Sequence, residues 1–145
     1  MGAARGLPVV LKNGAPDDIR RLVDAVPGLE VVLSHFAGCF GPEEEYEQRL
    51  RIAGEYPNVF IDAGALTYRQ RYPFPGARER LRRALETVSA DRIAWGSDYP
   101  RPPLVADASY KQQLEFVTTD CDFLTDTQRE AILGGTAMRV YAWDE

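Results

Sequence analysis

The stretch Arg92-Ile93-Ala94-Trp95-Gly96-Ser97-Asp98-Tyr99-Pro100 joins a short apolar run to a turn that holds one carboxylate, Asp98. Residues 92–98 are predicted to form a buried strand, because apolar side chains follow one another and Pro100 cannot continue the hydrogen-bond ladder of a sheet. Carboxylates at the ends of such strands often bind metals or substrates in α/β proteins. Asp98 is therefore either part of a functional site or a residue that only forms a turn.

Three other runs share this apolar character, so the sequence predicts four strands, at residues 7–12, 29–35, 59–65 and 92–98. Strands that are apolar on successive residues are typical of parallel sheets covered on both faces. Segments with helical periodicity lie between and after them. Helices are predicted over residues 16–26, from Gly41-Pro42 onward, over residues 78–88, and after a capping box of Thr125 and Gln128.

Strand and helix thus alternate at roughly 30 residues per unit, which is typical of right-handed βαβ units. Such units build either an open doubly wound sheet or part of a (β/α)8 barrel, and periodicity alone does not separate the two. The loop Asn13-Gly14-Ala15-Pro16 after the first strand has neither a GxGxxG pattern nor the lysine and serine of a P-loop. A nucleotide-binding sheet is therefore disfavoured.

The composition is that of a globular domain, with 45% hydrophobic and 10% aromatic residues among 145. The 17 basic residues are interspersed with 22 acidic ones and the net charge is −5, whereas a nucleic-acid groove needs a clustered positive face. Cys39 and Cys121 match no zinc-knuckle or thioredoxin spacing, and no apolar run is long enough to span a bilayer. We therefore predict a cytoplasmic protein without a disulfide that binds neither nucleic acid nor a membrane.

Two of the predicted strands end in side chains that can bind a metal or exchange a proton, His35 and Asp98, and His35 is the only histidine. In a parallel barrel the carboxyl ends of the strands share one rim, where active sites lie. An imidazole and a carboxylate at that rim suit zinc or another divalent metal, which activates a bound water for hydrolysis. The alternative for His35 is a hydrogen bond to a neighbouring carbonyl with no catalytic role.

Other polar residues near the strand ends have both a functional and a structural interpretation. Lys12 closes the first strand, where it binds an anionic substrate or extends to solvent. Cys39 is a soft ligand or, more simply, a small buried residue. Asp62 is expected to cap a helix in preference to lining the rim. Two interpretations fit a cluster of aromatic and basic residues: it forms one wall of a substrate site, or it is an exposed loop that packs on its own aromatic rings. The cluster comprises Tyr68, Arg69, Arg71, Tyr72 and Phe74.

Five segments cover nearly the whole chain with a recognisable pattern: residues 6–11, 34–38, 56–62, 91–100 and 132–137, the last followed by Arg139 and Tyr141. In this order they resemble the C-terminal half of the amidohydrolase-related family of metal-dependent TIM-barrel hydrolases and decarboxylases. The resemblance implies an α/β fold over residues 1–145, a partial (β/α)8 TIM barrel whose four parallel βα units correspond to strands five to eight, with a C-terminal helix. It also implies that Asp98 and His35 are both catalytic residues and metal ligands. Lys12, from its place at the end of the first strand, is the candidate substrate-binding residue.

The chain departs from that family in three places. The His-x-His pair of the first barrel strand is absent, Lys12 stands where a histidine ligand is usual, and Thr136 replaces the common asparagine. One imidazole and one carboxylate are fewer than the three protein ligands that catalytic zinc generally needs. Tight binding of zinc by this chain alone is therefore not expected, and Lys12 fits either a metal-free relative that binds a substrate carboxylate or a decayed copy.

Half a barrel would leave its first and last strands unpaired at one edge each, with apolar residues exposed. We therefore expect a homo-oligomer or pairing with a complementary half-barrel chain, and an open sheet is the third possibility. The leading functional prediction is a hydrolase or decarboxylase, in truncated form, that acts on a small carboxylate-bearing, lactone or amide compound. The alternative is a noncatalytic remnant or binding module that keeps the half-barrel fold.

Overall fold

Each strand of the structure is followed by a loop and then by helical structure, as the alternating pattern predicts. The computed structural model describes residues 6–100 and 108–142. The strands lie side by side in sequence order and every neighbouring pair is parallel: β1 (Val9–Leu11), β2 (Val31–Leu33), β3 (Val59–Asp62) and β4 (Ile93–Ala94). The predicted α/β class with four parallel strands is confirmed.

The strands are shorter than the sequence predicts, and the difference falls on the two candidate site residues. β2 ends at Leu33 and β4 ends at Ala94, so neither His35 nor Asp98 belongs to a strand. His35 has φ +55° and Asp98 has φ +52°, and an extended strand cannot contain a left-handed residue. Both residues lie in the loops that follow the strands.

The helices are α1 (Pro16–Ala25), α2 (Glu43–Glu55), α3 (Pro75–Ala84), α4 (Tyr110–Glu115), α5 (Asp126–Glu130) and α6 (Thr136–Val140). A π-helical turn follows α4 at Phe116–Asp120 and another joins α5 to α6 at Ala131–Gly135. The capping box of Thr125 and Gln128 is confirmed at the start of α5. The helix predicted over residues 78–88 instead begins at Pro75, because proline is favoured at a first helical position.

The two faces of the sheet are covered by different parts of the chain. Odd-numbered strand residues pack against the helices in the main core, which includes Val31, Val59, Ile61, Ile19, Leu50 and Leu81. On the other face, Val32 and Phe60 pack against Val140 and Tyr141 from the C-terminal end. Val10 lies in register with Val32 but is 53% exposed. The second face is therefore covered at β2 and β3 and open at β1.

The edges of the sheet also differ. β1 pairs with β2 alone among the described strands, as expected for an unpaired edge. At the other edge, the backbone N–H of Trp95, directly after β4, donates to the carbonyl of Ile132 at 2.7 Å. β4 likewise pairs with one described strand only, β3, so both ends of the sheet are edges as expected, but the C-terminal segment covers part of the β4 edge.

Two further findings concern the cysteines and the lengths of the helices. Cys39 and Cys121 are both buried free thiols. In the described ranges, no helix combines the length and the apolar character that crossing a membrane requires.

Candidate active site

His35 lies in a tight left-handed turn, Ser34–Gly38, that begins directly after β2. The φ angles of His35, Phe36 and Ala37 are +55°, +50° and +55°. A left-handed helical conformation costs a residue with a β-carbon roughly 1–2 kcal/mol, so the turn persists only if its surroundings hold it. The ring of Phe36 and the methyl group of Ala37 are buried in the main core. Burial of these two side chains fixes the turn and so the position of the imidazole.

Asp98 approaches His35 from the loop after β4. His35 Nε2 lies 3.8 Å from Asp98 Oδ2, with 25% and 41% of the two side chains exposed. The hydroxyl of Tyr68, from the loop after β3, donates to the same Asp98 oxygen. Three of the four loops at the carboxyl end of the sheet thus meet at one carboxylate, and His35 and Asp98 are neighbours, as the sequence predicts.

Asp62, the last residue of β3, is placed beside this pair and does not cap a helix. Its Oδ1 accepts a hydrogen bond of 2.6 Å from the backbone N–H of Gly64. Burial raises the pKa of the Asp62 carboxyl, and the negative charge of Asp98 adds to the rise, while the Gly64 bond and the His35 imidazole act in the opposite direction. The expectation of a helix cap is wrong, since α3 begins only at Pro75.

A glycine in the loop after β4 makes room for Asp62. A β-carbon added to Gly96 would lie 2.6 Å from Asp62 Oδ1 and 3.3 Å from the backbone nitrogen of Gly64, both closer than van der Waals contact allows. The glycine of the Gly96-Ser97-Asp98 motif is therefore required for the loop that carries Asp98 to pass close to Asp62.

Other candidate residues take different positions. Lys12 is exposed directly after β1, and among the described residues no hydrogen bond or ion pair joins it to His35 or Asp98. Cys39 is buried, which raises the pKa of its thiol to about 11 and disfavours a thiolate ligand. Phe74 is fully buried and packs edge-on against Phe116, so it does not line a substrate wall.

Aromatic rings accompany the His35–Asp98 pair. Phe40 is 41% exposed and its ring stacks on that of Tyr68 at 5.7 Å. The guanidinium of Arg69 lies 5.4 Å from the Phe40 centroid, within the range of a cation–π contact. Tyr99, the residue after Asp98, packs edge-on against Tyr110. The sequence singled out Tyr68 and Arg69 as candidates, and the structure adds Phe40 to them.

A cavity of about 310 Å³ opens beside His35. This volume lies at the lower end of the range for small-molecule sites. The cavity lies at the loops after β1 and β2 and the start of α2, and its lining comprises Asn13, His35, Gly38, Phe40, Gly41, Pro42, Glu45 and Arg49. His35 therefore borders a space that a small compound can enter.

The residues present do not complete a metal site. Over residues 6–100 and 108–142, no three side chains of His, Cys, Asp or Glu are placed to hold one cation. His35 and Asp98 are two possible ligands, whereas catalytic zinc generally has three from the protein.

Solved structures with this fold include both hydrolases and a decarboxylase. An amidohydrolase from Burkholderia multivorans with bound zinc matches with a TM-score of 0.73 and 23% identity, over 93% of this chain and 53% of that one. A candidate 2-pyrone-4,6-dicarboxylic acid hydrolase from Pseudomonas putida matches with a TM-score of 0.73 and 24% identity, over 99% and 54%. The 5-carboxyvanillate decarboxylase of Sphingomonas paucimobilis matches at 0.56 and 17%, over 85% and 36%.

The chain spans about half the length of the first two of these structures, so its four βα units correspond to part of a barrel. A search of curated proteins found no match. A family model described as amidohydrolase matches residues 3–143, nearly the whole chain. The chain therefore belongs to the amidohydrolase family.

Proposed function

We propose that this chain forms the catalytic rim of an amidohydrolase-type enzyme that hydrolyses, or decarboxylates, a small carboxylate-bearing compound. The carrying observation is the convergence of His35 Nε2 and Asp98 Oδ2 at 3.8 Å, with Tyr68 bound to the same oxygen. Two contacts of about 2.8 Å can span that separation, so one water can bond to both groups. His35 then accepts a proton from the water as general base, and Asp98 stabilises the imidazolium.

The proposed substrate class is supported by charged and aromatic groups at this end of the sheet. Arg69 over the Phe40 ring and Lys12 after β1 supply positive charge, and the rings of Phe40 and Tyr68 suit a planar compound. The two relatives named for a dicarboxylic acid and a carboxyvanillate point to the same class. A pyrone dicarboxylate, which is both a lactone and a dicarboxylate, is the first compound to assay.

The proposal extends to a divalent metal, zinc first, with Asp98 and His35 as the two ligands this chain offers. Support comes from the zinc-bound relative. No step above depends on the metal, because a third ligand is missing from the described residues.

We also propose a complementary half-barrel chain as the partner. Val10 at the free edge of β1 is 53% exposed, whereas the N–H of Trp95 beside β4 is already bonded to Ile132. To continue the barrel from β1, a second copy would have to offer its β4 edge, where the C-terminal segment is already bonded, so a chain with a free edge strand fits better. Light scattering of wild type and Val10→Lys, with and without that half, tests this. A homodimer that survives Val10→Lys would contradict it.

The test of the enzymatic proposal compares His35→Gln and Asp98→Asn with Asp91→Asn, which changes the same residue type at the opposite end of the sheet. Turnover of the pyrone dicarboxylate, with the partner half present, is expected to fall roughly 10²–10⁴-fold in the first two and to stay unchanged in the third. Metal content of protein purified without chelator is measured in parallel. Equal turnover in all four proteins would contradict the proposal.

The incomplete ligand set favours a second candidate, a noncatalytic binding module. Calorimetric titration with the same dicarboxylate separates the two. Binding that depends on Arg69 and Lys12, with no turnover even beside the partner half, supports the module.

A further inference from the structure

Arg49 of α2 is a buried cation that joins three segments at the carboxyl end of the sheet. Only 4% of the residue is exposed. Its Nε donates to the carbonyl of Gly14 at 2.9 Å and its Nη2 to Glu45 Oε2 at 2.6 Å, and Nη1 lies 3.5 Å from the carbonyl of Ala37. Gly14 follows β1, and Ala37 belongs to the left-handed turn that carries His35.

Burial of the Arg49 guanidinium costs desolvation free energy, which only well-placed hydrogen-bond and charge partners can offset. Glu45 is one turn away on the same helix and balances the charge from a site that is 45% exposed. The other two partners are loop carbonyls, which a guanidinium can bind together because its donors point in fixed, divergent directions. Arg49 is thus built to hold two loops in one arrangement.

The left-handed turn packs directly on this guanidinium. A β-carbon added to Gly38 would lie 3.1 Å from Arg49 Nη1 and 3.3 Å from Asn13 Oδ1. Gly38 itself has φ +71°. The turn therefore closes against Arg49 at Gly38, while Phe36 and Ala37 anchor it in the core.

We infer that Arg49 is a positioning residue for His35: it holds the turn Ser34–Gly38 in its left-handed form and so directs the imidazole to Asp98. The geometric part of this inference is independent of the proposed function. Its catalytic consequence rests on the proposed function.

Arg92 offers a matched control at the opposite end of the sheet. Its Nη1 donates to the carbonyl of Tyr56 at 2.9 Å and also to that of Ala53. Arg92 is therefore another arginine that binds two backbone carbonyls, but it does not touch the loops of the candidate site. Changing either arginine should lower stability, but only a change at Arg49 should also alter the environment of the His35 imidazole.

The experiment uses the imidazole of His35, which gives one nuclear magnetic resonance signal because the chain has one histidine. Asp98→Asn is introduced into wild type, Arg49→Gln, Arg49→Lys, Glu45→Ala and Arg92→Gln, and the resulting change in the imidazole carbon and proton shifts is measured at one pH. Melting temperatures are recorded for all ten proteins.

We expect Asp98→Asn to move the imidazole signal in wild type. The same movement is expected in the Arg92→Gln variant, in which Arg49 is unchanged. In Arg49→Gln the response should fall at least fivefold, and in Arg49→Lys about twofold, because lysine keeps the charge but cannot bind both carbonyls. Glu45→Ala removes the charge partner of Arg49 at a half-exposed position, so it replaces Arg49→Gln in the test if that variant does not fold. It is expected to reduce the response about twofold.

An undiminished response in both Arg49→Lys and Glu45→Ala would overturn the inference. So would an equal loss in Arg92→Gln at a similar melting temperature, since the effect would then be general loosening. Turnover is a separate readout: a retained shift response with no activity in wild type counts against the proposed function and leaves the positioning role intact.

Discussion

The two ends of the sheet differ in how the chain bends. Among the described non-glycine residues with positive φ, all but Ala142 lie in segments that follow strands: Asn13, His35, Phe36, Ala37, Ala65, Arg69, Phe74 and Asp98. In the described turns that precede strands, positive φ occurs at Gly6 and Gly28, where it costs little. Apart from Ala142, the described non-glycine residues with strained backbone thus lie in the segments that follow strands, at the end where His35 and Asp98 meet.

The polar side chains at the two ends are also used differently. At the amino end, Arg92 donates to backbone carbonyls and Asn58 Nδ2 donates to the carbonyl of Leu29 at 2.6 Å. At the carboxyl end, ionisable groups face one another, with Asp62 and His35 both close to Asp98. The named polar groups of the amino end bond to backbone carbonyls, whereas the carboxyl end also brings three ionisable side chains close together.

Gly96→Ala should disrupt the packing at the carboxyl end of the sheet more than any of the other substitutions. The new methyl group would lie 2.6 Å from Asp62 Oδ1, so Asp62 and the Asp98 loop must separate, at a cost of about 1–3 kcal/mol in unfolding free energy. The imidazole response to Asp98→Asn should be lost. Chemical denaturation and resonance shifts measure both effects.

Gly134→Ala is the control for that substitution, because nothing lies within 4 Å of its added β-carbon. Its helical position predicts an unchanged or slightly raised unfolding free energy. Equal losses in the two variants would show that the clash with Asp62 is not the cause.

Arg92→Ala should damage the amino end without touching the site. Two carbonyls lose their donor, which costs about 1–3 kcal/mol in unfolding free energy if they stay buried. The imidazole signal of His35 should keep its position and its response to Asp98→Asn. A shifted imidazole signal would mean that the two ends are not independent.

Ala37→Gly sharpens the comparison of backbone strain. Glycine adopts φ +55° without the strain that alanine has there, which stabilises the fold. The lost buried methyl group and the greater freedom of the unfolded chain act in the opposite direction. The unfolding free energy should therefore change little. Ala53→Gly, at a buried position inside α2, also loses a methyl group but lacks that relief, and should cost at least about 0.5–1 kcal/mol. The difference between these two values is the quantity to measure; if Ala37→Gly is the more damaging, strain in the turn is not the dominant effect.

The contributions of Asp62 and Asp91 to the unfolding free energy should change in opposite directions with pH. Burial raises the pKa of Asp62, so its contribution to stability is present below the unfolded value near 3.9 and is lost as pH rises through the folded pKa. The pKa of Asp91 is lowered by the Ser89 hydroxyl and then by Arg139, so its contribution is lost as pH falls through the folded value.

At neutral pH, Asp62→Asn is therefore expected to raise the unfolding free energy and Asp91→Asn to lower it slightly. Denaturation curves at several pH values between 3 and 7 would check this. A fall in stability at neutral pH in Asp62→Asn would mean that the ionised carboxylate, through Gly64 and His35, favours the fold.

The sequence predicted the regular part of this fold well, because apolar runs and capping boxes are local signals. β3 and β4, which lie within the predicted runs 59–65 and 92–98, and the box at Thr125 follow from these signals. The left-handed turn at His35 could not be predicted, since His, Phe and Ala disfavour that backbone and only tertiary packing imposes it. The assignment of residues 1–145 to the C-terminal half of a barrel stays a prediction, as do the roles of Lys12, His35 and Asp98.

Some site residues were missed although a signal existed. Arg49 lies three residues after Tyr46 and four before Ala53, both buried, so helical spacing places it on the apolar face of α2. Asp62 follows a continuous apolar run, the same signal that singled out Asp98. Tyr68 was considered, but no local pattern links it to Asp98, because that contact joins residues from different loops.

The order of the strands has a consequence for how the molecule is assembled during synthesis. Each strand pairs with the one made just before it, so the sheet can grow from the amino end by one strand at a time, with little delay for distant segments. The exception is the bond from Trp95 to Ile132, which waits for the C-terminal segment. Until that segment leaves the ribosome, the β4 side of the nascent sheet is open, and chaperone binding or misassociation should concentrate in that interval.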